Sequence, residues 1–115
     1  MKEKYDLEQR TFEFAKKVYI LCKKVQVNSL IKEYIVQLIK SSSSVGANYI
    51  EANESLSKKD FIYRIKICRK EAKESAYWLR LLNDASYTFK EEFQLLFKEA
   101  TELKKIFSSI IEKSK

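Results

Sequence analysis

Residues 41–82 read SSSSVGANYIEANESLSKKDFIYRIKICRKEAKESAYWLRLL, and this stretch decides the fold. A run of small residues leads to the chain's only glycine, Gly46, and then to a short polar break. A long helix opens at Ser57 and interleaves basic, aromatic and apolar positions. Its core-type residues are Phe61, Ile65, Cys68, Ala72, Ser75, Leu79 and Leu82. They alternate four and three residues apart, the spacing of a heptad seam. Before the break the same spacing runs through Ile31, Ile35, Leu38, Ser42, Val45, Tyr49, Ala52 and Leu56.

Working outward, the seam recurs twice more. Towards the N-terminus it is Leu7, Thr11, Phe14, Val18, Leu21 and Val25. Towards the C-terminus it is Phe89, Phe93, Leu96, Ala100, Leu103, Phe107 and Ile110. Four seams of matching length predict an all-α fold, an antiparallel up-down-up-down left-handed four-helix bundle over residues 1–115 as one domain. Composition agrees: 115 residues contain no proline and one glycine, whereas sheets draw on turn residues. A hydrophobic content of 45% is enough for one core.

The breaks fit the seams. Asn28 or Ser29 is placed to cap the second helix, Ser57 with Asp60 resembles a capping box, and Thr88 with Glu91 is expected to start the fourth. The second helix is thin in its middle, where Ser42, Ser43, Gly46 and Ala47 replace large side chains. A helical glycine costs about 1 kcal/mol relative to alanine. A close approach of another backbone, or of Tyr77 and Trp78 on the third helix, is the expected compensation; a partner chain is the alternative.

Several chemistries are disfavoured. The chain has no histidine, so the imidazole ligands of bundle di-metal sites and the base for a nucleophilic Ser or Cys are missing. Glu51 with Glu54 and Glu71 with Glu74 form two E-x-x-E pairs; an all-carboxylate metal site is one reading. Pairing with Arg or Lys one turn away, or holding helices or subunits in register, is the other. One glycine cannot build a phosphate loop. The chain is therefore expected to be no enzyme and to need no cofactor. Cys22 and Cys68 read as reduced core residues. No export signal or membrane-spanning run is visible, which points to the cytoplasm and no membrane partner.

The surface carries the functional hint. Lys and Arg number 23 against 16 Asp and Glu, a net charge of +7. Such a surplus favours anionic partners or serves only solubility. On the third helix Lys59, Lys66, Arg69, Lys73 and Arg80 form one stripe beside the core seam, interrupted by Ile62 and Ala76. Such a row suits successive phosphates, with Tyr63 and Tyr77 available to stack on bases. The plain alternative is a solvated flank paired with Glu71 and Glu74. Phe12, Tyr19, Tyr34 and Phe97 lie beside the seams and suggest either a homo-oligomeric surface or a wide core.

At this point the opening stretch resembles the signature of the bacterial proteins encoded in 23S rRNA intervening sequences. The matching positions are Ser44, Val45, Ala47, Asn48, Glu51 and Ala52, then Ser57, Lys58, Asp60 and Phe61. They continue through Lys70, Glu71, Ala72, Glu74, Ser75, Tyr77, Trp78, Leu79, Leu81 and Leu82. Many relatives carry Gly shortly after the Glu, where this chain has Asn53-Glu54. The resemblance implies a four-helix bundle assembling as a homopentamer, with no established catalytic residues. It also implies a likeness to the accessory protein of diversity-generating retroelements, a basic pentameric bundle that associates with a reverse transcriptase and nucleic acid. On this reading Lys59, Lys66, Arg69, Lys73 and Arg80 contact nucleic acid. Gly46, Asn48, Glu51, Glu71, Glu74, Tyr77 and Trp78 are structural or at subunit contacts.

Overall fold

The computed structural model describes residues 2–115, with side chains from Leu7 onward. Four helices follow one another: α1 (Lys2–Lys24), α2 (Lys32–Asn53), α3 (Lys58–Ala85) and α4 (Lys90–Lys113). The described residues contain no strand. Each seam turns its apolar row inward, and together the four rows make one core. Phe14, Phe93 and Phe107 are the largest side chains wholly inside it. Each contributes about 1.5–3 kcal/mol through removal from water.

Helix α2 packs between α1 and α3, and α4 packs against α3 and, over a shorter stretch, α1. Helices α1 and α3 are therefore not neighbours. The contacts Ser41–Ser75, Val45–Cys68 and Asn48–Arg64 climb α2 while descending α3, so these two run antiparallel. The ion pairs Arg10–Glu99 and Lys24–Glu92 show the same for α1 and α4.

The seams depart from the heptad only at their ends. Ile31, Phe61 and Phe89 are half-buried, and Leu56 falls in the α2–α3 link, 98% exposed. Near the C-terminus Ile111 takes the core place expected of Ile110. A helix of 3.6 residues per turn drifts by about 20° per heptad from a 3.5-residue repeat, and the last turn shows that drift.

Of the three expected caps, only that of Ser57 on α3 is formed as expected; α2 is preceded by Ile31, which makes no side-chain cap, and Asn28 acts one turn earlier. Asn28 Oδ1 accepts the Leu30 and Ile31 N–H groups at 2.9 and 3.1 Å, closing the turn that feeds α2. Ser57 Oγ accepts the Asp60 N–H at 3.1 Å. Thr88 does not start α4. Its N–H bonds to Ser86 Oγ at 3.3 Å, and Phe89 precedes the helix with φ 59° and ψ 27°. That left-handed conformation costs an L-residue about 1–2 kcal/mol. Packing of the Phe89 ring on the core, with Lys24 Nζ 5.8 Å from its centroid, offsets the cost.

The thin middle of α2 is filled by α1, not by the aromatics of α3. A Cβ on Gly46 would lie 3.1 Å from Thr11 Oγ1 and 3.7 Å from the Thr11 carbonyl carbon. Trp78 instead packs on Tyr34, with ring centroids 5.8 Å apart, and Tyr77 sits edge-on to Trp78 at 5.3 Å. On the other side of α2 the Ser41 and Ser75 hydroxyls meet at 2.9 Å, which lets α3 close in as well.

Both cysteines are free and buried. Burial pushes the Cys22 thiol up to about 11 and the Cys68 thiol up to about 12. Thiolate is the reactive form, so neither should react with a disulfide reagent at pH 8 until the protein is unfolded. A reagent titration with and without denaturant checks this; labelling of the native protein would contradict it. Gly46→Leu should lower stability by about 1–3 kcal/mol through overpacking against Thr11. Gly46→Ala in a Thr11→Ala background should instead raise it by about 1 kcal/mol, because the methyl then has room and helix propensity improves. Thermal denaturation of these variants decides both.

Candidate functional site

The outward face of α3 follows from its seam. With Ile65, Cys68, Ala72, Ser75 and Leu79 turned inward, the exposed line is Lys59, Tyr63, Lys66, Lys70, Lys73, Tyr77 and Arg80. Lys59, Lys66, Lys73 and Arg80 recur every seven residues and so share one heptad position. At 1.5 Å per residue the line is about 31 Å long. Arg69 is half-buried on the same flank as Asn83, which borders α4. Lys70 takes the outward place beside it. Sequence reasoning missed Lys70, although its seven-residue spacing from Tyr63 and Tyr77 carries the signal.

Charge is divided unevenly among the helices. Helix α1 carries seven Lys and Arg against four Asp and Glu, and α3 carries eight against four. Helices α2 and α4 balance, at two against two and five against five. The cations of α1 are partly matched by α4. Arg10 grips Glu99 through two nitrogens at 2.7 and 2.9 Å, and Lys24 lies 4.0 Å from Glu92. On α3, none of Lys59, Lys66, Lys70, Lys73 and Arg80 has an ion pair among the described residues.

The acidic residues of α3 do not neutralise this face. Glu74 accepts the Trp78 indole N–H at 3.2 Å rather than pairing with a cation one turn away. Glu71 has no ion pair among the described residues either, so the pairing one turn away, one of the two readings of these carboxylates, is not formed. Burial, and then the nearby Glu74, raise the Glu71 carboxyl above its ordinary value, with Lys70 opposing. Asn48 does join helices. Its Nδ2 donates to Ser44 O and Oγ, both at 2.9 Å, and its Oδ1 accepts from Arg64 Nη1 at 3.0 Å. Glu51 is exposed at the end of α2 and its side chain bridges to no other helix among the described residues.

Two grooves accompany these faces. Lys58, Lys59, Ile62, Tyr63 and Lys66 line one of about 480 Å³ at the start of α3. The other, about 650 Å³, runs between α1 and α4. Phe14, Leu21 and Leu96 form its floor, Ile20 and Leu95 its apolar walls, and Arg10, Lys17, Glu92 and Glu99 stand on its rim. Of the surplus aromatics, Phe12, Tyr19 and Phe97 are exposed, while Tyr34 is half-buried against Trp78. Among the described residues no group of three or more Cys, Asp or Glu is placed to hold a metal ion. No described helix is long and apolar enough to cross a membrane.

The raised Glu71 carboxyl has a stability consequence. A carboxyl harder to ionise when folded favours the native state below its unfolded value, and that advantage is lost as pH rises through the folded value. Glu71→Gln should therefore melt higher than the parent at pH 7. The difference should close as pH falls below about 4, in the ordinary carboxylate range. Melting curves from pH 3 to 8 test it; a lower melting temperature at pH 7 would contradict the desolvation argument.

The sequence pattern of the 23S rRNA-intervening sequence protein family matches residues 3–109. Among solved structures, the chain is similar to a protein of unknown function from the S23 ribosomal protein family of Bacteroides thetaiotaomicron. The two are 34% identical with a TM-score of 0.78, over 90% of this chain and 96% of that one. No curated protein matches the sequence. With the bundle and more than half of its length matched, the chain belongs to the 23S rRNA-intervening sequence protein family.

Proposed function

We propose that this protein is a non-catalytic, cytoplasmic nucleic-acid-binding bundle that acts on RNA first, through the outward face of α3. One observation carries the reading: five exposed cations stand along one helix and make no ion pair among the described residues, while those of α1 are partly matched by α4. A row of uncompensated cations is what a polyanion displaces counterions to reach. The protein works as a homo-oligomer, with five copies as its resemblance implies. Like charge keeps α3 faces apart, so assembly uses the apolar α1–α4 groove and the exposed Val36 and Ile50 of α2. A second reading, a scaffold for a partner protein, is favoured by the same groove, which suits an amphipathic helix. By analogy with the retroelement accessory protein, that partner is a reverse transcriptase.

The first test is RNA retention across a salt series. Affinity should fall with log salt at a slope of about 0.7–0.9 per phosphate contacted. The triple variant Lys66→Glu, Lys70→Glu, Lys73→Glu should lose retention while keeping its helical spectrum and oligomer mass. Unchanged binding in that variant removes α3 from consideration, and no binding of the parent at low salt leaves the scaffold reading. Ile20→Glu with Leu95→Glu should convert the oligomer to folded monomers in light scattering; an unaltered mass would take the groove out of the assembly.

A further inference from the structure

The outward line of α3 contains an internal repeat that a phosphate-binding face alone does not require. Lys59, Tyr63 and Lys66 are spaced four and three residues apart, and so are Lys73, Tyr77 and Arg80. The second set follows the first by fourteen residues, two heptads, with Lys70 midway between the tyrosines. We infer that α3 holds single-stranded rather than duplex nucleic acid, with Tyr63 and Tyr77 as two equivalent base-stacking stations. This rests on the α3 reading above and specifies its ligand.

Both rings stand in water, Tyr63 61% and Tyr77 56% exposed, so neither is spent on the core. A duplex offers an outer surface of phosphates, which lysines alone can read, and keeps its base faces stacked inside. A single strand exposes those faces, and an aromatic ring between two cations can take a base while its neighbours take the flanking phosphates. The two rings are also positioned rather than loose. Tyr63 lines the groove with Ile62, beside Lys58 and Lys66. Tyr77 is braced edge-on by Trp78, which Tyr34 and Glu74 hold in turn. The stations lie about 21 Å apart along the helix. A stacked strand advances about 3.4 Å per nucleotide, so about six nucleotides separate the two.

The experiment compares the full-length protein binding to a labelled ten-nucleotide RNA of non-pairing sequence, to its duplex and to a four-nucleotide fragment. The ten-mer should bind at least about tenfold more tightly than either, because it alone reaches both stations. Tyr63→Ala should weaken the ten-mer about tenfold, Tyr63→Trp should restore it, and the duplex should be indifferent to both. Tyr63 is exposed, so these variants keep their fold; Tyr77→Ala is read beside Tyr77→Phe because its ring touches Trp78. Trp78, the chain's only tryptophan, should be quenched by the single strand and not by the duplex. Equal affinity for duplex and single strand, with Tyr63→Ala silent, overturns this inference and leaves the α3 phosphate contacts standing. Absence of binding to all three RNAs at low salt removes both.

Discussion

The closeness with which α2 can be approached governs the rest of the bundle. On one side Gly46 admits Thr11 to a distance that a Cβ would crowd. On the other, Ser41 meets Ser75 and Val45 O meets Cys68 Sγ at 3.5 Å. Large side chains at these places would hold α1 and α3 away from α2. Interiors are packed to crystal-like density, so such a gap would forfeit dispersion along the whole crossing. The hydroxyls remain tolerable because each is hydrogen-bonded: Ser41 to Leu38 O, Ser42 to Ile39 O, and Ser75 beside Glu71 O.

That closeness makes α3 the best-supported helix. It is the longest, at 28 residues, and α2 and α4 flank it on both sides. Its inward and lateral faces are occupied, and the one face left is the line of lysines and tyrosines. Helix α1 is held differently. Its seam with α4 is short and bounded by two half-exposed ion pairs, of which the long Lys24–Glu92 pair is worth about 0–1 kcal/mol and the two-pronged Arg10–Glu99 pair is the firmer tie. The open groove between these helices is the counterpart of the tight crossing elsewhere.

Much of this was legible in the residues. Ser42, Thr11 and Ser75 are polar, yet their place in the four-and-three spacing marks them as core, and all three are buried. Spacing is a local property, and helices with few breaks keep it in register over many turns. Other features depend on contacts that spacing does not encode. Arg10 and Glu99 are 89 residues apart, and nothing local joins them. Phe89 adopts a left-handed conformation because its ring is anchored, whereas Thr88 with Glu91 matches a capping pattern by residue type alone. The side of α2 that Trp78 faces depends on which helix lies against Gly46. On α3, the distinction between Arg69 and Lys70 is a rotation of one residue, about 100° around the helix. The stripe was therefore readable as basic before its outward members were.

The division of charge has a further physical meaning. Helices α1 and α3, which are not neighbours, carry the surplus, while α2 and α4 between them are neutral. Charge of one sign on opposite corners leaves a weak dipole and a strong quadrupole. A polyanion is then drawn in from two opposite directions rather than turned towards one. The two faces differ in what lies behind them: Glu92 and Glu99 form ion pairs with cations of α1, and among the described residues no ion pair ties the outward cations of α3. Long-range attraction is thus nearly symmetric, and the choice of face is made only at contact.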